Sequence, residues 1–432
     1  MKSQKTIGIL SLSDIANDPR VRRQGDALHG AGWNVFGVGL PGRAAVPPAW
    51  PVDVVDEGFS ESAGAESGRV SWSASVWRNA KTILKKMAWA RGAWLAIRGV
   101  QRVWDVFRVR VSPDYAETLY WTWPVAAKLY RASSDRTADV WVANDWITLP
   151  LAARLARERG GVYVYDTHEL ALHEYSEQLR WRLLRKPIIH ALESRGIRGA
   201  KHVSVVSAGI ADALQEQYGI QVAPTVIRNM PSYQPATFQS VGAAIKLLYH
   251  GIVVPHRGLE EAIESVQNWR EEFSLTIRGP GDRSYIEGLR EKARLCGVGS
   301  RVVFAPAVTM ASLVQAAREF DVGFFALPGH SQHNRYALPN KFFEYLMAGL
   351  ALCVSDLPEM RTLLQRYDLG VSMASTRPEV IAATVNALTP TTIEAYKRNA
   401  LQAAHELNWD RESQKLLSAY DKVVVDTSQG RV

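Results

Sequence analysis

Short apolar runs alternate with amphipathic stretches along almost the whole chain, and that alternation points to a fold class before any single residue is considered. In the first half, strands are expected at Thr6–Leu10, Asn34–Val38, Val140–Ala143, Val162–Asp166 and His202–Val206. In the second half they are expected at Ile245–Gly251, Phe273–Arg278, Val302–Phe304, Val322–Ala326 and Ala351–Ser355. Strand, helix, strand repetition calls for parallel sheets covered on both faces, an α/β architecture. Between the halves, residues Asn229–Val241 carry Pro231, Ser232, Pro235 and Ser240 without apolar periodicity and read as a linker. The expected organisation is therefore a first domain over 1–229, a second over 230–409, and a closing helix over 410–432.

Within this pattern Leu338 to Gly349 stands out as a short helix, with Pro339 and Asn340 at its start and Gly349 just past its end. A helix N-terminus offers unpaired N–H groups and a positive dipole end, so with Lys341 beside it the site suits a phosphate or diphosphate. Glu344, one turn on, has two acceptor oxygens for the hydroxyls of a ribose. The bland alternative is a core helix, since Phe342, Phe343, Tyr345, Leu346 and Met347 are all apolar or aromatic, and the two readings are compatible. Arg257-Gly258 precedes an amphipathic stretch with Leu259, Ile263 and Val266, so Arg257 can face an anion there. Gly279 and Gly281 follow a strand and allow close backbone approach to a ligand. In the first half, the polar segment Ser11–Asp18 follows the first strand and Arg20 opens the next helix, while a surface role is at least as fitting for Arg22 and Arg23. Asn144-Asp145 ends one strand and Asp166-Thr167-His168-Glu169 the next, and His168 can serve as hydrogen-bond partner or proton acceptor for an acceptor hydroxyl, or simply be structural.

The stretch from Tyr336 to Asp356 resembles the donor-site signature of retaining glycosyltransferases of family four, which have the GT-B fold. Asn17–Arg23, Tyr249–Glu260, Ile277–Asp282 and Asn408-Trp409 fall in the family's order. The resemblance implies two doubly wound, Rossmann-like domains facing across a cleft, with the acceptor on the first, a nucleotide sugar on the second, and the closing helix crossing back to the first. It implies Arg257 and Lys341 at the diphosphate, with His168 as a third candidate catalytic group. It places Gly279, Gly281, Tyr336, Pro339, Asn340 and Glu344 at the donor, and Asp18, Arg20, Asn144, Asp145 and Glu169 on the acceptor side. This chain departs from the pattern at Tyr336, where the family has the first of two Glu residues, at Ile252, which replaces a cation, and at Asn144, where a His is common. The missing carboxylate leaves two expectations open: a donor sugar held by other groups, with the backbone of Tyr336 and Ala337 and the side chains of His333 and Arg335 as candidates, or a domain that binds nucleotide without transfer.

Composition changes the picture in one place. The chain of 432 residues has 51 Lys and Arg against 43 Asp and Glu, a net charge of +8. Residues 76–110 alone hold nine basic residues against Asp105, so the basicity is one local patch. Val76, Ala80, Ile83, Met87, Trp94 and Ile97 share a helical face, with Trp77 and Trp89 off it. Such a basic, Trp-rich helix fits an anionic membrane surface and a lipid-linked or envelope glycan acceptor, or it is an ordinary solvated helix. Nucleic acid is disfavoured for want of a binding motif or a second basic patch. Cys296 and Cys353 are too few and too far apart for a disulfide framework, and a cytoplasmic protein, peripheral at most at the inner face of the membrane, is expected. The apolar run after Lys5 is too short for a signal peptide, and no run is long enough to span a bilayer. No Asp-x-Asp pair or metal-ligand spacing occurs, so activity without metal or cofactor is expected, and the first strand lacks the Gly-x-Gly-x-x-Gly of a dehydrogenase.

Overall fold

The structure is a computed structural model that describes residues 4–42, 46–55 and 100–429. The first sheet contains β1 (Thr6–Asp14), β2 (Asn34–Leu40), β3 (Val52–Val54), β4 (Val140–Asn144), β5 (Val162–Thr167), β6 (Val203–Val205) and β7 (Thr225–Val226). The second contains β8 (Ile245–His250), β9 (Phe273–Arg278), β10 (Val302–Ala305), β11 (Val322–Phe325), β12 (Ala351–Ser355) and β13 (Gly370–Met373). Their orders are β3-β2-β1-β4-β5-β6-β7 and β10-β9-β8-β11-β12-β13. Every pairing between these strands is parallel, Ile7 lying between Val35 and Val140, and Val322 between Leu247 and Ala351. Each order reverses once, between β1 and β4 and between β8 and β11, and ligands of such sheets sit at that crevice.

All ten expected strands are present. The edge strands β3, β7 and β13 were not foreseen, because they are two to four residues long and too short to write a periodic pattern. Ser11–Asp14, expected in a loop, instead prolongs β1 past a register shift to pair Asp14 with Leu40.

The first sheet is covered on both faces. Ile7 and Ile9 point into one core with Val35, Val140 and Val164, whereas Leu10 joins Trp141, Leu149 and Tyr165 in the other. The helix Trp409–Gln429 leaves the second domain and completes the first of these cores with Leu416, Tyr420 and Val423. It is tied down at Lys5 Nζ–Asp421 (2.7 Å) and by the Arg228 N–H donating to Glu412 Oε1 (2.8 Å). Among the described residues no helix is long and apolar enough to cross a membrane. The basic helix expected over 76–110 lies outside the described residues except at its end, where residues 100–111 are helical.

Candidate active site

Two glycines build the floor of the second domain's crevice. β8 runs into Gly251 (φ +124°) and β9 into Gly279 (φ +153°), backbone conformations that side chains disfavour. A Cβ on Gly279 would lie 1.8 Å from the Gly251 carbonyl oxygen, and one on Gly251 would lie 3.1 Å from Lys341 Nζ. The glycines thus let the two strand ends touch and bring Lys341 over them. Gly281 continues the contact through a bridge to Val253. Above this floor the helix Asn340–Ala348 begins after Pro339, with no side chain capping it, so the N–H groups of Asn340 and Lys341 stay open to the crevice.

Lys341 is the unusual group. Its Nζ sits 4.0 Å from the Phe325 ring centroid and 4.2 Å from that of Tyr249. No hydrogen bond or ion pair to it occurs among the described residues. Burial, and then the Arg257 charge, push its pKa down to about 7 against the pull of Glu344. Arg257 is exposed, and among the described residues it too has no carboxylate partner. Glu344 is buried, with Oε2 2.8 Å from His250 Nε2, yet the angle is too poor for a hydrogen bond and both His250 ring nitrogens lack such a partner.

The cleft wall supplied by the first domain departs from expectation. Asp166 is wholly buried and accepts from Arg20 Nε (2.7 Å) and Nη2 (2.5 Å), from Gln24, from Ser204 and from His168. Arg20 also donates to the Ile227 carbonyl (2.6 Å) and is 2% exposed, so the acceptor-side expectation for it is corrected: it is an internal strut. Asp18 is corrected likewise, because its carboxylate accepts from the Arg20 and Val21 N–H groups and caps the helix Pro19–Gly30. Asn144 is 1% exposed and lies beneath the cleft surface with both its amide atoms unpartnered, so it does not line an acceptor pocket.

Asp145 does face the cleft. It adopts φ +63°, and 37% of its side chain is reached by water although protein crowds it from all sides. Burial pushes its pKa up to about 6 while His168 holds it down. The His168 ring lies 3.1 Å from Asp166 Oδ2 and 3.4 Å from Asp145 Oδ2, and the His168 backbone N–H donates to Asp145 Oδ1 (3.1 Å). Burial opposes the charged ring, but the two carboxylates outweigh it and raise the pKa to about 9. The two carboxylates therefore favour the protonated ring at neutral pH, which weighs against His168 as a proton acceptor.

Glu169 is exposed at the cleft rim, and burial and then the neighbouring Glu169 carboxylate push the Glu174 pKa up to about 9. Across the cleft, His333 is held down by burial and by Arg257, with Glu169 opposing. Tyr336 turns the other way. Its ring packs where a Cβ on Gly209 would be, 2.2 Å from that position, and its carbonyl accepts from Ser207 Oγ (2.9 Å). Ring and carbonyl are spent on the first domain, which corrects the expectation that Tyr336 serves the donor. Sequence reasoning missed His250 and Glu174, and left Arg23 on the surface. Arg23 is half-buried, bonded to Asn229 Oδ1 (2.5 Å), with its charge attracted by Glu344. Among the described residues no three His, Cys, Asp or Glu side chains are grouped to hold a metal ion.

Comparison with known proteins fits this geometry. Residues 88–230 match the model described as Glycosyltransferase Family 4, and residues 244–389 match Glycosyl transferases group 1. No curated protein matches the chain in sequence. Among solved structures, a sucrose-phosphate synthase from Thermosynechococcus elongatus is 14% identical with a TM-score of 0.68, over 98% of this chain and 100% of the other. HepE from Anabaena, solved with UDP-glucose, is 12% identical with a TM-score of 0.64, over 96% and 99%. WaaG, a glycosyltransferase involved in lipopolysaccharide biosynthesis, is 15% identical with a TM-score of 0.57, over 95% and 98%. Two doubly wound domains, together with these matches, define a glycosyltransferase of the GT-B fold. Within that class the two matches, one to each half, support a family-four-like member.

Proposed function

We propose that the chain transfers a sugar from a nucleotide diphosphate sugar to an acceptor hydroxyl with retention of configuration, the acceptor being a lipid-linked or envelope glycan presented at the cytoplasmic face of a membrane. The observation that carries the donor half is Lys341, a half-buried amine without a counterion among the described residues, at an uncapped helix N-terminus and over two glycines. Arg257, the second unpaired cation, would share the leaving diphosphate, and Glu344 would take the ribose hydroxyls. Charge developing on the leaving oxygens is met by these cations and open N–H groups, so no metal is invoked. With His168 already protonated, the acceptor proton passes to a departing phosphate oxygen, which is consistent with front-face displacement. His168 instead steadies Asp145 at the cleft surface.

Uridine nucleotides are the first to try, since HepE was solved with UDP-glucose. Thermal shift and calorimetry with uridine, guanosine and adenosine diphosphate sugars on the wild type, Lys341→Ala and Glu344→Ala are the test. One donor should stabilise the wild type and bind both variants weakly. Failure of every donor to bind the wild type would refute the reading.

A second reading, binding without transfer as the partner of another enzyme, is favoured by the absence of a carboxylate at Tyr336 and by that residue's packing on Gly209. Donor turnover or hydrolysis by the pure protein would exclude it. A soluble small-molecule acceptor is the remaining alternative, and it requires turnover indifferent to lipid.

A further inference from the structure

Away from the donor cradle, the first domain carries a cationic groove that the transfer chemistry does not use. It has a volume of ≈ 720 Å³ between the end of the helix 100–111 and the helices Leu179–Leu184 and Lys186–Gly199. Arg110, Arg182, Lys186, His190 and Arg198 line it, and among the described residues the four Arg and Lys side chains have no carboxylate partner. Its one acidic lining residue, Asp114, is already engaged by Arg195, which also binds Glu117 (3.3 Å). His190 is held below its ordinary pKa by burial and then by Lys186 and Arg198, as expected where positive potential accumulates.

The same helix presents an apolar ridge to solvent. Val100, Val103, Trp104, Phe107 and Val111 fall on one face and are 56–70% exposed, with Trp104 and Phe107 edge-to-face at 5.9 Å. On the opposite face Val106 and Val109 are buried against Tyr120, Ile188 and Leu192. The ridge is therefore not a core face awaiting its own domain. Arg102, Arg108 and Arg110 flank it, and beside Arg182 the exposed Leu179 and Leu183 repeat the combination. Aromatic and aliphatic side chains among arginines, of which Arg108 also donates to Tyr115 Oη (3.3 Å), match the apolar boundary and the phosphate layer of a bilayer at once.

We infer that ridge and groove together form the docking surface of this protein for an anionic phospholipid membrane, the groove holding lipid phosphates and the ridge entering the acyl boundary. The inference rests on the membrane-surface acceptor reading above and gives it an address on the molecule. Leu172, four residues beyond His168, is part of the groove wall, so the docked face adjoins the loop that bears Glu169.

The test is flotation of the full chain with phosphatidylcholine vesicles, with and without phosphatidylglycerol. Two variants are compared with the wild type: Arg182→Glu/Lys186→Glu/Arg198→Glu, and Trp104→Ser/Phe107→Ser. The wild type should bind only the vesicles containing phosphatidylglycerol. Each basic residue near an anionic surface is worth about fivefold in partition, so the triple variant should lose about a hundredfold or more. The ridge variant should still be recruited in low salt but wash off in high salt more readily than the wild type. Wild-type-like binding by the triple variant, or equal binding to both vesicle types, overturns the inference. Tighter binding to soluble glycerol phosphate or to duplex DNA than to vesicles overturns it as well. Thermal shift with the donor separates the two claims: a triple variant that binds donor but not vesicles supports this surface, and a wild type that floats but binds no donor sinks only the transferase reading.

Discussion

An ammonium flanked by two aromatic rings, with no oxygen in bonding range, is about half neutral near pH 7 while the site is empty. A diphosphate must raise that pKa on arrival, so donor binding should take up a proton. Calorimetry near pH 7.5 in two buffers of different ionisation enthalpy should give different heats. Affinity should fall by up to about tenfold per pH unit above 7, and buffer-independent heats would show that Lys341 is charged before the donor binds. Arg257→Ala removes a charge-assisted contact of roughly 1.5–3 kcal/mol, so donor Kd should weaken by about one to two orders of magnitude. His168 obeys the opposite linkage. Its pKa is raised in the folded state, so its contribution to stability is full below about 6.5 and is lost as pH rises through about 9. Urea melts should therefore show His168→Asn less stable than the wild type at pH 6, by on the order of 2–3 kcal/mol, with the gap closing by pH 9.5.

At the scale of elements, one helix shows how a polar residue at the mouth of a domain can be mistaken for a ligand contact. The segment Asp18-Pro19-Arg20 looks like an acceptor loop, but Asp18 is a cap, Pro19 takes the first helical turn, and Arg20 turns inward to Asp166. Asp18→Ala should lower unfolding free energy by about 1 kcal/mol in urea titrations while leaving donor and acceptor affinities unchanged. A loss of acceptor affinity without a loss of stability would restore the binding role. The helix Asn340–Ala348 shows the converse. Its start at Pro339 and its left-handed Gly349 cap are legible locally, because cap chemistry depends on neighbours in sequence. Its buried apolar face and its open N-terminus coexist, so the core reading leaves room for the anion reading.

Across the whole molecule, two of the places where the domains meet among the described residues matter most. One is the helix Trp409–Gln429 in the first domain's core, and the other joins Tyr336 to Gly209 and Ser207, beside the Gly209 N–H donating to Glu359 Oε1 (2.6 Å). Tyr336→Ala removes the ring from the second contact only. X-ray scattering should then report a larger radius of gyration without donor, with unfolding midpoint little changed, and an unaltered scattering curve would mean that Tyr336 does not hold the domains together. The sequence by itself determined the ten principal strands, the division into two sheets and the start and stop of the helix that carries Lys341. Those follow from apolar periodicity, caps and turns, which are properties of neighbouring residues. Only the tertiary structure decided that Arg20 is internal while Arg23 reaches Asn229, that Tyr336 packs on the first domain, and that His168 sits between two carboxylates. Arg20 and Asp166 are 146 positions apart, and the carboxylates that charge His168 arrive from two different strand ends. Burial and charge pairing depend on distances in space, and no local pattern of residues carries them.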